Sequence, residues 1–380
     1  MIRYIARRLL GAILVVFCVF SLSFLIMRLA PGSPFDQDKQ LPPEVVSNQA
    51  KVTGMAEAIS APSGVVSELL VGRGDDVAAG QVYARLEENG RLTEATAERD
   101  FTVFRVVRRI GEKIETGSPI LYAETSLWSQ YFTTVGSYAR FDFGVTFDSK
   151  GQRTVIENIR ETLPVSAELG LYALIIALVL GVSSGLIAGL KQNSWIDYSV
   201  MSAAMVGISV PSIVLGPIFI LVFIMQLQWL PAHGGWEGGI FSGWGQKILP
   251  SITLGLVYAA YFARLTRGGM LEVIGQDWIR TARAKGLPER LIIFRHALKG
   301  AILPAVTFMG PALAHLLVGS VVVEMIFAIP GISKYFVVSA INRDYPMVMG
   351  VVVLYSAFLV CFNLAVDIAY AYLDPRVKYE

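Results

Sequence analysis

The chain has 380 residues, of which 54% are hydrophobic and 16% charged, and its mean hydropathy is +0.56. Soluble domains carry about one quarter charged residues, so this composition excludes an ordinary soluble protein and asks for lipid. The formal net charge of +2 is uninformative by itself, and no nucleic-acid partner is expected.

A run of about 18 or more apolar residues crosses a bilayer core roughly 30 Å thick. The first such run, Leu9–Leu29, is longer than the apolar stretch of a leader, and no small-x-small cleavage site follows Arg28. Residues 1–30 are therefore expected to form a retained first span. Residues 31–51, with Pro31, Gly32, Pro34, Pro42 and Pro43, read as an irregular extracytoplasmic segment.

Residues 52–125 have a different character and read as a soluble β domain. A pattern recurs at an offset of 37, from Val65 to Thr102. The first copy is Val65 to Leu70, then Gly74-Asp75-Asp76-Val77 and Gly80; the second is Thr102 to Val107, then Gly111-Glu112-Lys113-Ile114 and Gly117. Each is a β-rich run, a turn that uses glycine where φ must be positive, and a second glycine. The stretch from Ala61 to Glu87 resembles the first half of the biotinyl/lipoyl domain, a barrel-sandwich hybrid of two interlocking four-stranded halves. Cofactor-carrying members of that family present a lysine at the hairpin between the halves. Here that stretch is Glu87 to Leu92 without a lysine, and the domain's two lysines are Lys51 at its edge and Lys113 in a turn. Without that lysine no prosthetic group is expected, and the domain reads either as a docking or spacer module or as an insertion that adds only bulk.

After a second extracytoplasmic segment, 126–161, a permease-like core at 162–380 holds five more apolar runs: Val165–Leu190, Val200–Leu227, Ile248–Leu265, Ala301–Phe327 and Met347–Tyr372. The fold class expected is an all-α polytopic membrane protein of six spans with an extracytoplasmic β insertion. Basic residues at Arg3, Arg7, Arg8, Lys191, Arg267, from Arg280 to Lys299, and at Arg376 and Lys378 outnumber Lys247, Lys334 and Arg343 in the opposite short loops. The positive-inside rule then places both termini in the cytoplasm and residues about 31–161 outside.

Charges inside spans are expensive and face protein or water. Glu168, Glu324 and Asp367 qualify; Glu324, near the outer end of the fifth run, is a candidate for a cavity mouth, and Asp367 reads as structural. Pro211 and Pro217 in the third run, and Pro304 and Pro311 in the fifth, free backbone carbonyls that protein or cavity water must satisfy, so they are candidate kinks along a translocation pathway. Cys18 and Cys361 lie in apolar runs and form no disulfide or metal pattern, and His233, His296 and His315 are scattered.

The most informative segment is the cytoplasmic loop 268–300. Ile274, Trp278 and Ala282 recur at helical spacing, Leu291, Ile292 and Phe294 form a second apolar group, and Gly286 then Pro288 is a helix stop followed by a restart. The pattern predicts a helix–turn–helix at the membrane surface. Small residues Thr281, Ala282 and Ala284 permit close approach, and the cations suit either a cleft on a cytosolic protein or anionic lipid. No phosphate-binding Gly-x-x-x-x-Gly-Lys-Ser/Thr loop is present.

The stretch Trp278 to Pro304, WIRTARAKGLPERLIIFRHALKGAILP, resembles the coupling loop of ABC-importer permeases of the dipeptide/oligopeptide class. So do Arg28 to Phe35, Leu41 to Val45, Phe143-Gly144 with Phe147, Pro164 to Ala167, Leu190 to Asn193, Pro330 to Ile332 and Asn342 to Tyr345, which look most like the B-type membrane subunits of that class. Apart from the β domain, the resemblance covers about 300 residues in order. It implies the ABC type I importer permease fold and no enzyme activity in this chain. The ATPase-coupling residues implied are Arg280, Thr281, Ala282, Arg283, Lys285, Gly286 and Leu287, with Gly286 giving the turn. The partners implied are a homologous second permease subunit, two ABC ATPase subunits that bind ATP and Mg, an extracytoplasmic solute-binding protein, a peptide substrate and membrane lipid of a cell inner membrane. Two other readings treat the chain as a prosthetic-group carrier of a decarboxylase pump, which the absent hairpin lysine opposes, or as an export component whose β domain docks an outer-membrane or adaptor partner.

Overall fold

The computed structural model describes residues 2–29, 43–88, 90–147, 153–231, 235–237, 242–317 and 320–373. The chain divides into two compact units, one of residues 1–30, 158–341 and 348–380, the other of residues 31–157 and 342–347. The chain starts with α1 (Ile2–Leu29), the first apolar run. His233 and the prolines from Pro31 to Pro42 lie outside the described residues.

In the second unit, α2 (Pro43–Thr53) is helical where an irregular segment was expected. Pro43 sits at the first helical position, where its missing N–H costs nothing, and no later proline or glycine interrupts the helix before Gly54. Eight strands follow: β1 (Ala56–Ser60), β2 (Gly64–Leu69), β3 (Asp76–Val77), β4 (Val82–Glu88), β5 (Arg91–Thr96), β6 (Phe101–Val106), β7 (Lys113–Ile114) and β8 (Pro119–Glu124). They form two four-stranded sheets, ordered β1-β8-β6-β3 and β5-β4-β2-β7.

The 37-residue repeat becomes a symmetric interlock. Within each copy the first strand pairs with the third, β2 with β4 and β6 with β8; between copies β2 pairs with β7 and β6 with β3. The crossing hydrogen bonds repeat as well, with Gly74 N donating to Val103 O (2.8 Å) and Gly111 N donating to Val66 O (2.7 Å). Both glycines are left-handed, at φ +85° and +87°, which a Cβ would oppose. Val66, Leu86, Val103, Ile114, Ile120 and Leu121 fill the shared core.

Helix α3 (Leu127–Ala139) follows, capped by Ser126. Its Thr134 hydroxyl donates to Thr53 O (3.0 Å), fixing it to α2. The segment 342–347 closes this unit: the buried Asp344 carboxylate accepts from the Thr146 hydroxyl and from Phe147 N (2.9 Å).

The remaining unit is helical. Helix α4 (Val155–Leu190) starts ten residues before the predicted run, because Thr154 and Glu157 form a reciprocal capping box (3.2 and 2.8 Å) ahead of it. The third predicted run is not one helix. It is divided between α5 (Trp195–Ser209) and α6 (Ser212–Phe219), which continues as a π-helical segment, Ile220–Gln226. The two parts are bent by 103°. Pro211 caps α6, and Val210 before it is extended (φ −85°, ψ 115°), the conformation a following proline imposes.

Next come α7 (Trp244–Ile274), α8 (Asp277–Ala284), α9 (Glu289–Leu291), a second π-helical segment (Ile292–Ala297) and α10 (Leu298–Ala301). The chain then runs through α11 (Leu303–Leu317), α12 (Val321–Ile326), α13 (Ser333–Ile341) and α14 (Tyr345–Leu373). Among the described residues, five helices are long and apolar enough to cross a membrane, with a sixth if the bent pair is one span.

Close packing of α4 on α7 rests on Gly181, Gly185 and Gly189, one turn apart. A Cβ on Gly181 would lie 2.5 Å from Ala259 O and one on Gly189 2.6 Å from Met270 Cβ; one on Gly185 would overlap Ala263 O. From the other side, a Cβ on Gly255 would lie 2.8 Å from Ala173 O. Small residues at four-residue spacing let helix backbones approach where lipid gives no hydrophobic drive to associate. Leu169, Ala173, Ala177, Leu254, Phe262 and Leu316 pack around this seam.

Candidate coupling hairpin and polar groups in the spans

The hairpin between α7 and α11 is built from a broken helix. After Ile274 the chain pauses at Gly275 and Gln276, and α8 begins at Asp277. That break resets the helical phase. The expected stripe Ile274–Trp278–Ala282 therefore does not hold: Ile279 and Ala282 are buried, whereas Trp278 is exposed. Ile279, Ala282, Ile292, Ala297 and Ala301 pack with Met270 of α7, joined by Leu287, Val273, Ile274 and Leu186. Ala282 thus approaches its own chain, and the exposed small residues are Thr281 and Ala284.

The turn follows from Gly286. Lys285 N donates to Thr281 O (3.1 Å), Gly286 N to Arg283 O (2.9 Å) and Leu287 N to Ala282 O (3.4 Å), closing α8. Gly286 takes φ +73°, the left-handed conformation at which helices end with glycine. Pro288 then caps α9 in an extended conformation. Arg283 braces the two arms by donating to both Glu289 oxygens (2.7 and 3.3 Å).

That hydrogen-bonded guanidinium holds the Glu289 carboxyl below its ordinary value. A lowered carboxyl pKa favours the braced state above the ordinary range and loses that bias as pH falls through the lowered value. The brace therefore persists at neutral pH. Outward, Arg280, Thr281, Arg283, Lys285, Gly286, Arg290 and Arg295 are exposed, interleaved with Leu291 (37%) and Phe294 (63%). Leu287 is half-buried. The hairpin is packed on its inner face and presents cations with apolar side chains on its outer one.

The predicted pathway residues are not gathered into one site. Glu324 does not look into a mouth. It is 1% exposed, accepting from the Ser166 hydroxyl (2.6 Å) and Ser333 N (3.1 Å), while Ser166 Oγ accepts from Ile332 N (2.9 Å). A buried carboxylate needs such donors, and here they fasten the turn after α12 to α4. Pro211 caps α6, Pro217 lies inside α6 ahead of the π-helical segment, and Pro311 is exposed on α11. Asp367 pairs with Arg8 at 3.0 Å.

Three charged groups escaped the reading of the sequence. Asp197, 1% exposed, takes both Arg267 donors (2.5 and 2.8 Å), joining the start of α5 to α7. Lys247, expected in an outer loop, lies in the first turn of α7 with no exposed side chain, 2.8 Å from Glu168. Arg264, inside the fourth predicted run, is exposed and stacks over Tyr261, 5.6 Å from the ring centroid. The signal for the first two was charge of opposite sign at the ends of apolar runs.

The family model described as binding-protein-dependent transport system inner membrane component matches residues 172–379, a stretch that begins beyond the β strands and includes the hairpin. The oligopeptide transport system permease protein OppB of Salmonella typhimurium is 39% identical over 379 residues, covering 100% of both chains. The dipeptide transport system permease protein DppB of Bacillus subtilis is 43% identical over 249 residues, 66% of this chain and 79% of that one. The glutathione transport system permease protein GsiC of Escherichia coli is 30% identical over 380 residues, 100% of each.

Proposed function

Because the chain belongs to the binding-protein-dependent transport system inner membrane component family, we propose that it is the permease subunit of an ATP-driven oligopeptide importer. A solute-binding protein delivers peptide from outside, a homologous second permease completes the pathway, and two ATPase subunits bind ATP and Mg. In this reading the bent pair α5–α6 makes the sixth span, both termini are cytoplasmic and residues about 31–161 are extracytoplasmic. The observation that carries the coupling role is the hairpin: an exposed cationic surface on a core continuous with α7 and α10. ATP-driven closure of the ATPases would push on it as a lever and tilt the helices it is packed against.

Gly286 tests this. Nothing lies within 4 Å of a Cβ placed there, so a substitution there meets no clash and acts through φ or through the docking surface. Gly286→Val forces a β-branched residue into the left-handed region, at a cost of about 1–3 kcal/mol to that turn. Gly286→Asn tolerates the same φ. The expected result is that Val lowers peptide uptake in proteoliposomes and the yield of co-purified ATPase by about tenfold, while Asn retains most of both. Wild-type coupling in the Val variant would refute the lever.

The β unit fits a docking or spacer role outside the membrane. Its ends meet, with Thr125 N donating to Met55 O at 3.4 Å, and its core is its own. Excising residues 56–124 and joining the ends through a short Gly-Ser link is expected to leave thermal unfolding of the helical unit unchanged. A lowered melting temperature would show that the helices depend on it.

A further inference from the structure

Arg264 is a charge in a span that the chain itself does not neutralise. Its contact is the face of Tyr261, and among the described residues it has no hydrogen bond or ion pair. One turn later Arg267 is fully engaged by Asp197. Intramembrane cations are expensive and are retained where they face a partner, a cavity or a ligand.

Arg264 stands one residue before the end of the apolar run Ile248–Leu265 and about 15 Å along the axis from Ile274, where α7 ends at the hairpin. Tyr261 lies one turn toward the start of α7, so the stacked guanidinium leans along the helix, away from the hairpin.

The surroundings suit a polar, flexible chain. Tyr258 and Tyr261 of α7 share a ring cluster with α11: Tyr261–Phe308 at 5.5 Å, Tyr258–Phe308 at 6.4 Å and Tyr258–His315 at 6.2 Å. On α11, Thr307, Pro311 and His315 recur every four residues and all are exposed. The two helices thus present one exposed strip bearing a guanidinium, an imidazole, hydroxyls and aromatic faces. Lipid hydrocarbon offers such groups no hydrogen-bond partner.

We infer that this strip is a peptide subsite, with Arg264 receiving the C-terminal carboxylate of the transported peptide. The inference rests on the peptide-import reading. Every linear peptide with a free C-terminus brings that carboxylate whatever its side chains, and a guanidinium binds it through two parallel hydrogen bonds. Aromatic faces beside it accept varied side chains without demanding any one.

The test is uptake by the assembled transporter in proteoliposomes, comparing a tripeptide with its C-terminal amide. In Arg264→Gln the preference for the free acid over the amide is expected to fall about tenfold, the effect of losing a charge-assisted hydrogen-bonded pair, and in Arg264→Lys to recover in part. Recovery of the intact complex checks folding of each variant. Equal loss for acid and amide, as a packing or lipid-facing arginine would give, overturns the inference, as does an unchanged preference. If the wild-type transporter moves no peptide at all, the peptide-import reading itself fails, and that outcome is separate.

Discussion

Gly269→Ala is expected to destabilise the helical unit by about 3 kcal/mol or more, while Gly268→Ala, its neighbour, is expected to be neutral or to stabilise by about 0.5–1 kcal/mol. The two glycines sit in the same helix and differ in what a methyl would meet. At Gly269 it would overlap Ala301 O and come within 3.0 Å of Ala301 C and 3.1 Å of Ala301 Cα; at Gly268 it meets nothing within 4 Å. Backbone of α10 cannot rotate away as a side chain can, so α7 and α10 must separate. Separation opens the cluster of Met270, Ile279, Ala282, Ile292 and Ala301 that seats the hairpin. Gly268 gains only the helix preference of alanine. Thermal unfolding of the purified chain in detergent, read for both variants, decides the point; similar shifts in the two would mean that α7 and α10 are not held in backbone contact. On the proposed coupling role, the lesion should also lower ATP-driven uptake, since the hairpin would no longer move with α7.

Which features could be read from residues follows from the range of the forces involved. Apolar runs declare spans because lipid acts on each segment separately, and α1, α4, α7 and α14 contain their predicted runs. The third run shows the limit. Pro211 was visible as a breaker, but the 103° bend is set by what α5 and α6 pack against. The glycine ladder of α4 was legible, since Gly181, Gly185 and Gly189 repeat every four residues, yet apolar composition alone marked only a span. The hairpin's turn came from Gly286 and Pro288, a local signal. Its phase did not, because the pause at Gly275 lies inside a stretch whose periodicity looks continuous. In the β unit the 37-residue offset marked two similar halves, but the exchange of strands between them, β2 with β7 and β6 with β3, joins segments far apart in the chain and was implied by the resemblance, not by the offset. Glu324 was seen as a costly charge but placed at a mouth; its donors, Ser166 and Ser333, come from segments that only the folded chain brings together.

The Glu168–Lys247 pair was the least legible feature, with partners 79 residues apart, and it supplies the second large effect. Lys247→Met is expected to cost about 3–5 kcal/mol, whereas Lys247→Met combined with Glu168→Gln should recover most of that loss. Glu168 accepts from Lys247 Nζ (2.8 Å), the Tyr172 hydroxyl (2.7 Å) and Trp236 Nε1 (2.7 Å). The Lys247 ammonium also lies 5.2 Å from the Trp236 ring centroid. With the cation removed, a carboxylate that is 12% exposed keeps two neutral donors and an unbalanced charge. Gln at 168 removes the charge while its carbonyl still accepts from one of them, so the second change relieves the first. A double-mutant cycle on chemical unfolding measures the coupling directly, and simple additivity of the two single changes would show that the pair is screened by water. The same pair fixes Trp236, a residue of the segment between the π-helical end of the bent pair and α7. Loosening it should therefore raise proteolytic cleavage around Trp236 before the helices themselves unfold, an order of events that a purely global destabilisation would not produce.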